Sequence, residues 1–145
     1  MTAPTYSDVL VDLAQHLANA GIGQWRDDGI YKSYTPPAIY LGRIPDEAGY
    51  AIALNQYNHL TSGGGRDTGT PDVLIQIRVR GDRHPLTAGK IHDRIYQLIH
   101  EQTNYRLNNG TSVLCSRRHL RAPEDTDANL RWYRDDSYTL TLNPE

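Results

Sequence analysis

The chain has 145 residues, 15 basic and 17 acidic side chains and a formal net charge of −2, a length that supports one domain around one core. Such a balance speaks against a dedicated nucleic-acid binder, whose domain or stripe is strongly basic, and the lone Cys115 excludes an intrachain disulfide and points to a reducing compartment. No run reaches the ~18 apolar residues of a membrane helix and no basic, apolar leader follows Met1, so a soluble protein not secreted by that route is expected.

A first helix is predicted from about Tyr6 to Ala20, where Val9, Leu10, Leu13 and Leu17 share one face. Thr5 fits the N-cap with Asp8 three residues on, and Gly21 fits the left-handed closing position. After a polar stretch, Pro36-Pro37 forces extended backbone into "AIYLGRIP", giving a short strand from Ala38 to Leu41. "YAIALNQY" alternates Tyr50, Ile52 and Leu54 against Ala51, Ala53 and Asn55, the period of a strand with one buried face. From Asp72 to Arg80 the alternation is strongest: Val73, Ile75, Ile77 and Val79 face one side, and Leu74, Gln76, Arg78 and Arg80 the other.

A second helix is predicted to begin near Pro85 and reach about Gln102, with Ala88, Ile91, Ile95, Leu98 and Ile99 inward. Strands follow at Thr111 to His119 and Asp136 to Leu142, the latter alternating Tyr138, Leu140 and Leu142 against Ser137, Thr139 and Thr141. The order is therefore α-β-β-β-α-β-β in a single domain over residues 1–145. Helices with one apolar stripe and strands with one apolar face predict an α+β fold: a largely antiparallel sheet of four to five strands, both helices on one face, the other face polar. At 38% hydrophobic residues, with ten Tyr and no Phe, the core is thin. The tyrosines either replace phenylalanine or hold rings at half-exposed interfaces.

The stretch "NHLTSGGGRDTGTPDVLIQIRVRG" carries Gly63, Gly64 and Gly65. A phosphate cradle needs strand, glycine turn and then helix, but here a strand follows the glycines, and Thr70 stands where a Walker lysine would follow Gly64 and Gly69. The run reads instead as a connection that loses much entropy on ordering. At ~13 residues it is long for a hairpin, which suggests a contact element. Pro71-Asp72 hints at a Mg²⁺ nuclease, yet Gln76 replaces the second carboxylate, and an amide is a poor ligand for a hard cation. His84, His92 and His100, spaced by eight, read as a solvated face of the second helix rather than a metal site. No His-Glu-x-x-His pattern and no G-x-S-x-G elbow occurs, so no catalytic signature is present.

Charge clusters towards the C-terminus: Arg117, Arg118 and Arg121 are followed by Glu124, Asp125 and Asp127, then Arg131 and Arg134, then Asp135 and Asp136. Such blocks either pair one subunit with the next, as a ring with two complementary patches requires, or form a solvated turn. The polar sheet face with Arg78 and Arg80, together with Arg66 and Asp67 beside the glycines, supplies groups suited to salt-sensitive docking on another charged surface.

Five stretches in this order, "VLVDLAQHLANAGIG", "PPAIYLGRIPDE", "DVLIQIRVRG", "DRHPLTAGKIHDRIYQLIH" and "SYTLTL", resemble the small tail terminator proteins of long-tailed bacteriophages, also described as minor capsid or tail completion proteins. The resemblance spans nearly the whole chain and rests on the order and spacing of elements. It implies a structural protein of the virion, assembled in the host bacterial cytoplasm, with no enzymatic activity and no cofactor or metal. It also implies a homo-oligomeric, typically hexameric, ring that ends tail-tube polymerisation and offers a surface for head-to-tail joining. The implied partners are tail tube protein and the head connector or neck proteins, with no membrane and with DNA passing through the ring without sequence-specific contact. In that picture Gly63, Gly64, Gly65, Arg66, Asp67, Arg78 and Arg80 face the tube or neck, and Arg117, Arg118, Arg121, Glu124, Asp125 and Asp127 lie between subunits. The alternatives are a head-completion or neck adaptor ring, and a degenerate Mg²⁺ nuclease.

Overall fold

The computed structural model describes residues 6–60, 70–108 and 110–143. Its elements are α1 (Tyr6–Asn19), β1 (Ala38–Leu41), β2 (Ala51–Leu60), β3 (Asp72–Arg80), α2 (Thr87–Ile99), β4 (Gln102–Arg106), β5 (Ser112–Arg121), β6 (Asp125–Thr126) and β7 (Trp132–Leu142). The sheet order is β1-β2-β3-β7-β5-β4, with β6 paired to β7. β1 runs parallel to β2 and the other pairings are antiparallel.

Helix α1 forms where the apolar stripe predicted it, burying Val9, Leu13 and Leu17. It closes at Gly21, whose φ is +77°. There the Ile22 amide donates to the Leu17 carbonyl at 3.1 Å and the Gly21 amide to that of Ala18 at 3.0 Å, the paired bonds of a Schellman ending. Helix α2 buries Ala88, His92, Ile95 and Ile99. Both stripes meet one phase of the strands, Ile52 and Leu54 of β2, Val73 to Val79 of β3, and Tyr138, Leu140 and Leu142 of β7, in one continuous core. Each such aliphatic side chain withdrawn from water is worth ~1.5–3 kcal/mol.

The expected architecture needs three corrections. The sheet is mixed and larger than four to five strands. The nine-residue link from Leu41 to Ala51 carries the chain over the sheet and lays β1 parallel to β2. Helix α2 stops at Ile99 rather than reaching Gln102, because His100 turns extended and Glu101 takes φ +58°. The chain thereby enters β4, an exposed edge strand whose polar sequence shows no alternation. The C-terminal strand begins at Trp132, four residues before the expected Asp136, and its first residues are held by β6.

Candidate interaction surface

On β3 and β7 the outward phase places Arg78 opposite Asp135 and Arg80 opposite Tyr133. Arg78 donates through Nε and Nη2 to the two carboxylate oxygens of Asp135 at 2.7 and 2.9 Å, and its guanidinium lies 4.7 Å from the Tyr133 ring centroid. This bidentate pair is half open to solvent. It raises the Arg78 pKa, with the Asp135 hydrogen bond the main cause. Arg80, on the same face, is buried. The segment between β1 and β2 folds over it, and its Nη2 donates to the carbonyls of Pro45 and Ala48 at 2.9 and 2.6 Å. The outward face is therefore polar where Gln76, Arg78 and Thr139 stand, and roofed at Arg80 by a nonlocal segment that strand periodicity does not reveal.

Arg131 holds the same roof. Its Nη1 donates to the Asp46 and Ala48 carbonyls at 2.8 and 3.2 Å, its Nη2 to the Asp46 carboxylate at 2.8 Å, and its Nε to Asp127 at 2.8 Å. Gly63, Gly64, Gly65, Arg66 and Asp67 lie outside the described residues.

The charged blocks of β5 to β7 meet partners within the subunit. Arg121 pairs with Glu124 at 3.1 Å and Arg117 stands 3.9 Å from Glu101. Asp127 holds Arg131, and exposed Asp125 accepts from the Thr126 amide at 2.7 Å. Arg118 turns inward to Asp136 at 3.2 Å, with its guanidinium 4.2 Å from the centroid of the Tyr96 ring.

That last contact belongs to a network beneath α2 that the sequence reading missed. Arg134 donates through Nε and Nη2 to the two oxygens of Asp136, both at 2.9 Å, and reaches Glu124 at 3.3 Å. His92, expected on a solvated face, is fully buried, because position 92 falls on the same stripe as Ala88, Ile95 and Ile99. Its Nε2 meets the Arg134 carbonyl at 2.6 Å. A carbonyl only accepts, so Nε2 carries the proton, and Nδ1 faces Asp136 at 3.4 Å without a hydrogen bond. Two effects pull in opposite directions: burial opposes a charged ring and the Asp136 carboxylate favours one. Burial prevails, lowering the His92 pKa from 6.5 to about 4, since two guanidinia already occupy the carboxylate. Two arginines, two carboxylates and a neutral imidazole leave the network balanced, with the geometry of a clamp between helix and sheet.

Among the described residues no group of three or more His, Cys, Asp or Glu is placed to hold a metal ion, and no helix is long and apolar enough to cross a membrane. The sequence matches no curated protein. The family described as "Bacteriophage tail terminator protein" matches residues 16–144, from the last turn of α1 to just beyond β7. By that match over most of its length, the chain belongs to the bacteriophage tail terminator family.

Proposed function

We propose that this structural tail protein works as a closed, six-fold ring of its own copies at the head-proximal end of the phage tail. There it stops tube growth and presents a surface for head-to-tail joining. The observation that carries the reading is the family match over residues 16–144. Two features of the fold support it. A ring closed by head-to-tail contacts needs two different patches on each subunit, and the sheet ends in two unlike margins. On one side β2 continues from Asn55 to Leu60 beyond its pairing with β1, and on the other side lies the exposed strand β4. Such edges are ready templates for a second chain. Second, the outward sheet face around Arg78 offers exposed polar and charged groups for salt-sensitive contacts. Many simultaneous weak contacts make a complete ring bind far more strongly than one subunit.

Electron microscopy of the purified protein at rising concentration, alone and with tail tubes, tests this. Closed rings seated on tube ends are expected. Subunits that remain single even in the presence of tubes would overturn it, and rings that co-sediment with filled heads rather than tails would assign the protein to the neck instead.

A further inference from the structure

Arg43, Ile44, Arg78, Arg80, Asp127 and Tyr133 line a pocket of about 230 Å³ on the outward sheet face. Its charges are unevenly matched. Arg78 is taken by Asp135, and Asp127 is taken by Arg131, which also holds Asp46. Arg80 is in ion-pair contact with no carboxylate among the described residues, Asp127 and Asp46 acting on it only from further off: its charge rests on two backbone carbonyls, and its buried Nε has no acceptor among the described residues. Arg43, exposed at the rim, makes no ion pair with any described residue. Two guanidinia without a contacting carboxylate thus line one small cavity together with Tyr133 and Ile44, and a buried cation out of contact with its counter-charges is costly.

We propose that this pocket receives the carboxylate of an Asp or Glu side chain presented by an adjoining protein of the tail. The fit is chemical. A guanidinium fork matches a planar carboxylate in two-point contact, and the cavity holds the end of one side chain. A nucleic-acid strand is disfavoured, because the chain carries a net charge of −2 and a strand of phosphates calls for a strongly basic surface. The source of the carboxylate rests on the tail-protein reading; the chemistry of the pocket does not.

The test separates the two. Nitrogen-15 NMR of the arginine Nε–H groups is followed while the purified protein is titrated, at fixed ionic strength, with N-acetyl-Gly-Glu-Gly-amide, its Gln counterpart, acetate, inorganic phosphate or a short single-stranded DNA. Saturable shifts of Arg80 and Arg43 with the Glu peptide and not the Gln peptide are expected, weakened by ~ten-fold in Arg43→Gln. The thermal midpoint of that variant should match the parent, since Arg43 holds nothing in the fold. Equal response to both peptides, preference for phosphate or DNA, or saturation by acetate with the Glu peptide excluded would each overturn the proposal. In phage carrying Arg43→Gln, fewer joined particles are expected. Full yield together with lost peptide binding would overturn the tail source, whatever the ring experiments give.

Discussion

Asp136 receives both forks of Arg134 from two residues away on the same strand, at 2.9 Å each, with the two side chains 0% and 1% exposed. Burial alone would depress the arginine, yet Asp136 and then Glu124 hold its pKa above the ordinary value. Removing one member of such a pair strands a charge inside the protein. Asp136→Asn is expected to cost ~3–5 kcal/mol, a large part of a typical domain's stability of roughly 5–15 kcal/mol. Urea unfolding of the purified variant reads this directly. A loss below ~1 kcal/mol would mean that water or a shifted Glu124 replaces the carboxylate.

His92 makes stability depend on acidity. Its pKa falls from 6.5 to about 4 in the folded chain because burial opposes the charge, so between those values the unfolded chain binds the extra proton. Stability is therefore full above about pH 6.5, declines as pH falls towards 4, and loses ~3 kcal/mol across that window from this group. Thermal midpoints measured from pH 7 to pH 4 should drop in the parent more steeply than in His92→Gln, whose amide can still donate to the Arg134 carbonyl. Equal slopes would place the acid sensitivity elsewhere.

Arg131 fixes the segment between β1 and β2 through Asp46 and Ala48, while Asp127 orients its guanidinium. Arg131→Ala is expected to cost ~1–3 kcal/mol, chiefly through acceptors that lose their donor. The loss should appear as faster hydrogen exchange at residues 46–49, with little change in the core strands. Arg131→Lys should not restore protection, because an ammonium cannot span the carbonyls and the carboxylate as a planar fork does.

The elements legible in the sequence are those whose signal is local. The Val9, Leu13 and Leu17 stripe with Gly21 behind it, and the strict alternation from Val73 to Val79, describe α1 and β3 almost residue for residue. β4 carries no apolar period because it is an exposed edge, and the parallel pairing of β1 depends on a crossover that no short window contains. The buried network was disguised by composition, since Arg134 and Asp136 sit in a run of charges that reads as a surface turn. Extending the alternation of Tyr138, Leu140 and Leu142 two steps upstream would have placed both on the inner face. Arg80 is the converse case. It lies on the predicted polar face but is covered by residues more than thirty positions earlier.

Arg78 separates the stability of the outward face from its use. The side chain is 44% exposed and its pair with Asp135 is open to solvent, so reversing it in Arg78→Glu removes a contact worth ~0.2–1 kcal/mol and adds a like-charge repulsion of similar size. The fold should survive with a thermal midpoint lowered by a few degrees, about what ~1 kcal/mol gives in a domain of this size. If this face docks on the tube or neck, counts of free tails and joined particles in phage carrying the variant should shift strongly towards free tails. The double exchange Arg78→Glu with Asp135→Arg rebuilds the pair with its charges transposed, restoring the thermal midpoint but not joining. Full joining by Arg78→Glu alone would remove this face from the docking surface, and recovery of both properties by the double exchange would show that the pair acts only through stability.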